Sequence, residues 1–383
     1  MSLYIPEGIP PVIPNAMARI ERRLPYPGEV LVRQGSRVEP EDIVAQTLKP
    51  EPPQIINVAR SLGIPPSQVY RAMSREVHNK VEAGQVLART AGIFGRSCLA
   101  PVTCMIADID NETGYVTIAP DPTEYALQAT VRGIVMEVIP YEGVIIEAPS
   151  AQVYGAFGIG EDRSGVLRLL ATDPGDIVRP EQIDARSAYA ILICGAGISA
   201  AALRRAVQEQ VRGIIVGGVD ESELRDFLGW ANVAGWQTGR HSWQWPDLTA
   251  TATPDPKLTI LVTEGFGTRP MNAAMFDLLS SQDRQEALIE GATRLRRPLR
   301  RPRVVIPLTR NSSVQVEPPH PALRPGASVR LLDYAHLGKI AQVRSVPSAP
   351  RRVASRVSLA AVEVVDADGV AFWLPRTCVE VLS

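Results

Sequence analysis

The residues best placed to do chemistry stand in a row. Gly195-Ala196-Gly197-Ile198-Ser199-Ala200 follows an apolar run, opens a helix-like segment and matches the pattern G-x-G-x-x-[GA]. In such a loop the glycines let a pyrophosphate approach the backbone, and the helix N-terminus offers it N–H groups. Asp220 lies 25 residues beyond Gly195, after a second apolar run, where a carboxylate can hold a ribose hydroxyl. The same letters also suit a tight strand-to-helix turn with no ligand. Glu264 and Asp277 flank Gly265-Phe266-Gly267, but no neighbour makes them an acid–base pair. His78, His241, His320 and His336 stand far apart, and Cys98, Cys104, Cys194 and Cys378 show no C-x-x-C spacing. Neither a metal site nor a disulfide framework is expected. No catalytic group is named, so a nucleotide-dependent enzyme would rest on Gly195, Gly197 and Asp220 alone.

A second kind of chemistry is electrostatic. Net charge is −1, yet Arg284 to Arg356 holds 15 Lys+Arg against 4 Asp+Glu, leaving 25 against 37 elsewhere. Arg294 to Arg303 reads RLRRPLRRPR, with Arg294, Arg296, Arg297, Arg300, Arg301 and Arg303 interrupted by Pro298 and Pro302, which stop a helix. Such a run is either a solvated loop that keeps a sheet edge soluble or an arm that neutralises phosphates.

The elements that must position these groups are mostly short strands. The 33 prolines and 29 glycines favour turns over long helices, and 383 residues exceed one ordinary core. Two repeats occur. Gly35–Thr47 (GSRVEPEDIVAQT) and His78–Thr90 (HNKVEAGQVLART) share four identities; Ala100–Pro120 and Ala129–Pro149 each run strand, glycine turn, strand, Ala-Pro. Together they resemble the lipoyl- or biotinyl-like barrel-sandwich hybrid fold, in the version of the Rnf complex C subunit, over residues 25 to 159. Carrier members of that family need a lysine at a hairpin tip. Here the tips carry Asn111-Glu112-Thr113 and Pro140-Tyr141-Glu142, so no lipoyl or biotin carrier is expected. Gln54–Met73 between the first pair has a helix-turn-helix-like spacing. It reads as a helical insertion over the sandwich or as a DNA-reading pair with Arg71 and Arg75.

From Ala188 strands alternate with helices: YAILIC, AALRRAVQEQ, GIIVGGV, LTILVT. That predicts an α/β layer with parallel strands. GAGIS also resembles the opening motif of sirtuin deacylases, though no catalytic His-Gly pair and no paired zinc cysteines follow. Trp230, Trp236, Trp243 and Trp245 form an aromatic cluster that reads as a recognition surface or as satellite core.

At the C-terminus, Gly326–Leu332, Leu337-Gly338-Lys339-Ile340-Ala341-Gln342-Val343 and the hairpin through Asp366–Gly369 resemble the KOW motif of the NusG type, an SH3-like barrel of about 60 residues. The resemblance implies contact with RNA, a ribonucleoprotein or RNA polymerase, or docking to a protein. Arg330, Gly338, Lys339 and Arg344 are the binding residues it suggests.

The expectation is therefore a multidomain α+β chain. Residues 1–24 form an extension and 25–165 a barrel-sandwich domain with a helical insertion at 54–77. Residues 166–310 form an α/β domain, 311–322 a linker and 323–383 a KOW barrel. Its expected role is a non-enzymatic scaffold contacting nucleic acid or a ribonucleoprotein and a protein partner, without a cofactor. The alternatives are the nucleotide-binding enzyme and a purely protein–protein adaptor. Neither a signal peptide nor a membrane span is read, which with the unpaired cysteines points to the cytoplasm. The sequence leaves oligomeric state open.

Overall fold

The computed structural model describes residues 11–92, 95–229, 255–291, 301–308, 322–333, 335–353 and 356–382. The chain is strand-rich, with several sheets, one of them mixed, and short helices. Among the described residues no helix is long and apolar enough to cross a membrane.

One sheet of 11 strands organises most of the molecule. In chain order its strands are β1 (Val12–Arg23), β2 (Arg37–Val38), β3 (Gly133–Ile139), β4 (Gly143–Tyr154), β5 (Phe157–Ile159), β6 (Arg163–Leu169), β7 (Ala190–Ile193), β8 (Gly213–Val219), β9 (Thr259–Phe266), β10 (Glu286–Glu290) and β11 (Arg303–Pro307). They pair in the order β5-β9-β8-β7-β6-β10-β11-β4-β3-β2, with β1 also on β4. β6, β7, β8 and β9 run parallel, as the alternating pattern predicts.

β4 links two regions. Its first half pairs with β3, its second half with β11, and β1 pairs along most of its length. After Tyr154 the chain turns through Gly155 and Ala156, whose N–H groups donate to Pro302 and Val262, and β5 joins β9. The N-terminal strands and the parallel strands therefore share one hydrogen-bonded sheet. The boundary expected at 165/166 falls inside β6.

The parallel strands are apolar throughout because both faces are covered. On one face Leu192, Ile214, Val216, Ile260 and Val262 meet helix α3 (Ala200–Gln208) through Ala202, Leu203 and Ala206. On the other, Ile191, Ile193, Ile215 and Leu261 meet α5 (Ala273–Ser281) through Met275, Phe276 and Leu279. Each such large side chain contributes about 1.5–3 kcal/mol on burial. On the α3 face, α4 (Glu221–Leu228) adds Leu224 to the same core and is ended by Gly229 in the left-handed region.

Toward the N-terminus two cores appear rather than one. Ala18, Ile20, Val44, Ala45, Leu127, Val135 and Ile146 form the first. Residues 56–118 enclose the second by themselves, around Val69, Val81, Leu87, Ile106 and Val116. The two repeats thus seed two packed units, the second inserted into the first. The segment expected to be an insertion at 54–77 belongs to that second unit. Its helices α1 (Val58–Leu62) and α2 (Val69–Ala72) have five and four residues, and Val58, Leu62 and Val69 face the core. A four-residue helix is barely one turn, too short to lay several side chains along a DNA groove.

The C-terminal residues form five antiparallel strands: β12 (Ser328–Leu331), β13 (Ile340–Ser345), β14 (Ala361–Asp366), β15 (Ala371–Pro375) and β16 (Val379–Val381), ordered β15-β14-β13-β12-β16. Val329, Leu331, Ala341, Val343, Val362, Val364, Leu374, Val379 and Val381 point into one core. The core residues follow a period of two, broken by an irregularity between Val343 and Ser345, so most intervening residues lie on the other face of the sheet.

Candidate nucleic-acid interface

Alternation places Arg330 and Glu380 on the outward face of the C-terminal sheet, yet both are buried. That half of the face is sealed against β9. One Arg330 Nη donates to the Thr263 carbonyl at 3.0 Å and to Glu380 at 3.0 Å; the other meets Glu264. Arg301 reaches the second Glu380 oxygen and the Gly155 carbonyl. Around this cluster the chain closes further. Leu332 and Leu337 enter the core beneath α3, and Arg269 donates to the Gly338 carbonyl at 3.2 Å. Gly338 itself, at φ +80°, lies against Glu264 and Gly265.

Three arginines expected to meet phosphate are thus engaged internally. Arg330 and Arg301 pair with Glu380, and Arg303 pairs with Glu290 while donating to Gln152 at 3.0 Å. Burial opposes the Arg303 charge, but Glu290 and Tyr154 outweigh it and hold its pKa above the ordinary arginine value. A phosphate would have to displace carboxylates already desolvated with these guanidiniums. Gly338 is a buried packing point, not a contact residue. Arg294, Arg296, Arg297 and Arg300 lie outside the described residues, as do the four clustered tryptophans.

The other half of the same face is open. β13 turns Ile340, Gln342 and Arg344 outward, β14 turns Glu363 and Val365 outward, and β15 turns Ala371 and Trp373 outward. Glu363 is paired across the strands with Trp373, and Arg344 approaches Glu363 at 3.9 Å with its side chain 63% exposed. A two-strand arm, Arg351–Arg352 against Ser358–Leu359, lies over this surface. Arg351 stands above the Trp373 ring, 5.7 Å from its centroid. Arg352 donates to the Arg356 carbonyl, and Arg356 adopts φ +64° and is exposed. Lys339 is exposed at the strand's start. Of the expected contact residues, only Lys339 and Arg344 remain on an accessible surface among the described residues. The arm contributes Arg351, Arg352 and Arg356, and the sheet Trp373. The arm's arginines were visible in sequence, but their approach to Trp373 depends on a cross-strand register that sequence does not show.

The glycine loop is also filled by the protein. A Cβ on Gly195 would lie 2.4 Å from the Asp176 carbonyl, and one on Gly217 would lie 3.1 Å from that of Gly195. Gly197 pairs with Ile177 in a short parallel bridge. At the start of α3, the Ala200 N–H donates to the Glu223 carboxylate at 2.6 Å. That carboxylate, delivered by α4, occupies the N-terminal position a phosphate would use. Asp220 is exposed and precedes α4 without capping it through its side chain. Gly195, Gly197 and Asp220 therefore serve chain packing and a helix start. Among the described residues no group of three His, Cys, Asp or Glu side chains is arranged to hold a metal.

No family model, curated protein or solved structure matches this chain.

The cysteines offer no nucleophile. All are free thiols; Cys98, Cys104 and Cys194 are buried. Burial pushes the Cys194 thiol up to about 12 and Cys378 to about 11, with Asp333 adding to the latter. At pH 8 almost no thiolate is present at either. The native protein is expected to react with a disulfide reagent such as DTNB far more slowly than a free thiol, and all four thiols to appear in guanidinium. Rapid labelling of Cys194 in the native protein would contradict its placement.

Proposed function

We propose that this chain is a non-enzymatic binding protein whose C-terminal sheet, read as an SH3-like barrel of the KOW type, contacts nucleic acid or a ribonucleoprotein. The sandwich units, read as barrel-sandwich hybrids, and the α/β layer form its scaffold. One observation carries the reading. Arg344, Arg351, Arg352 and Arg356 are exposed on the C-terminal sheet and its arm, with Arg351 over Trp373, while Arg301, Arg303 and Arg330 are neutralised inside. Exposed guanidiniums release counterions when they meet phosphate, so binding weakens as salt rises.

The test is anisotropy of a fluorescein-labelled RNA of mixed sequence across a salt series. Wild type is expected to bind with a negative slope of log K against log salt. Replacing Arg344, Arg351, Arg352 and Arg356 together with alanine is expected to flatten the slope by about 0.7–0.9 for each phosphate that the variant no longer neutralises. Neutralising Arg294, Arg296, Arg297 and Arg300 separately reports what that run adds. Absent or salt-insensitive binding sinks the proposal.

A further inference from the structure

We infer that the open face selects unpaired over duplex nucleic acid, taking a base on the Arg351 guanidinium where it lies over Trp373; this rests on the reading just proposed.

Three features support it. First, the surface is a sheet face, broad where a duplex groove needs a projecting helix or ribbon. Outward side chains of β13, β14 and β15 form one layer, and the arm of Arg351–Arg352 folds back over it rather than standing away. Second, that layer contains an aromatic with a cation above it. Trp373 is half-buried and held by its strand, so its ring is preorganised, and Arg351 covers it at 5.7 Å. An exposed guanidinium plane backed by an indole is a stacking surface for a heterocycle. A paired base has no free face inside its stack, whereas an unpaired base does.

Third, the charge is divided in a way that suits one strand. Arg344 lies on one side of Trp373, two strands away, with Glu363 between them. Arg352 and Arg356 are exposed on the arm that brings Arg351 over the ring. A single backbone can reach exposed arginines on the sheet and on the arm while one base rests on Arg351. Ser345, the cross-strand partner of Glu363, donates to its carboxylate at 3.2 Å.

The test uses the full chain and two fluorescein-labelled probes at one salt concentration, a 15-nucleotide uridine strand and a 15-base-pair RNA duplex. Wild type is expected to favour the single strand by about ten-fold, the order of one stacked base. Trp373→Ala is expected to lower single-strand affinity by a similar factor and leave the duplex unchanged; Trp373→Phe retains most of the preference. Arg351→Lys keeps the charge and removes the planar fork. It is expected to abolish the preference with little change in salt slope, and it leaves the core untouched. Equal affinity of wild type for both probes, or an Arg351→Lys protein that still prefers the single strand, overturns the inference while leaving salt-dependent binding intact. Failure of wild type to bind either probe overturns the underlying reading as well.

Discussion

Replacing Arg330 with alanine is expected to destabilise the protein by about 3–5 kcal/mol, the range for removing one partner of a buried charge cluster. Arg330 is 1% exposed and Glu380 also 1%. The guanidinium satisfies two carboxylates and the Thr263 carbonyl together. Its removal leaves Glu380 with Arg301 alone and leaves the Thr263 carbonyl short of a donor. Glu264, whose side chain is 13% exposed, can regain some water; Glu380 cannot. Arg330→Lys keeps a positive charge but offers a point instead of a planar fork, so it should recover part of the stability. Urea unfolding followed by circular dichroism measures both. A decrease under about 1 kcal/mol for alanine would mean that the cluster is solvated, as surface pairs are.

Gly338→Ala is expected to rank next. At φ +80° a side chain costs about 1–2 kcal/mol on backbone grounds alone. The new Cβ would also sit 2.2 Å from the Glu264 carbonyl oxygen and 3.3 Å from the Gly265 Cα. Backbone cannot rotate away as a side-chain end can, so the loop must lift. Lifting withdraws Leu337 from the central core and breaks the Arg269 bond to Gly338. A total near 2–5 kcal/mol follows, comparable to emptying a buried leucine site. Gly369→Ala is the control: φ is +78°, yet nothing lies within 4 Å of its Cβ. Thermal unfolding of the two variants separates torsional strain from steric overlap. If they lose equal stability, the close approach of Gly338 to β9 is not a constraint.

The contrast between these two glycines shows what the sequence could and could not convey. Gly338 stands in a pattern that calls for a positive φ or a close approach, and it has both. Which backbone it approaches is set by β9, some seventy residues earlier, and no local pattern encodes that. The parallel strands were legible because both faces are apolar, as at β8, where every residue is buried. The repeats were legible too, but not that the second would enclose a core of its own. The end of the arginine run was not legible, for a definite reason. Its last members, Arg301 and Arg303, bracket Pro302 and lead into β11, where strand geometry carries them inside. Their partners, Glu380 and Glu290, lie 79 and 13 residues away. A charge count sees the density of arginine; only the fold reveals which carboxylates answer it. At the glycine loop both readings, ligand site or tight turn, fitted the letters; the contacts of Glu223 from the next helix and of the Asp173–Asp176 turn from before the motif were not legible in them.

β11 is among the last strands of its sheet to be made and one of the most central in it, between β10 and β4. A ribosome must release residues 303–307 before either neighbour can be satisfied. Until then the second half of β4 keeps a bare, apolar edge while residues 155–302 are made, and β10 adds a second such edge only just before β11. Such edges invite pairing with other chains during synthesis. The order of manufacture thus sets a vulnerable interval. Shortening the wait for that strand, or shielding the two edges with a chaperone, should govern how much of this protein emerges folded.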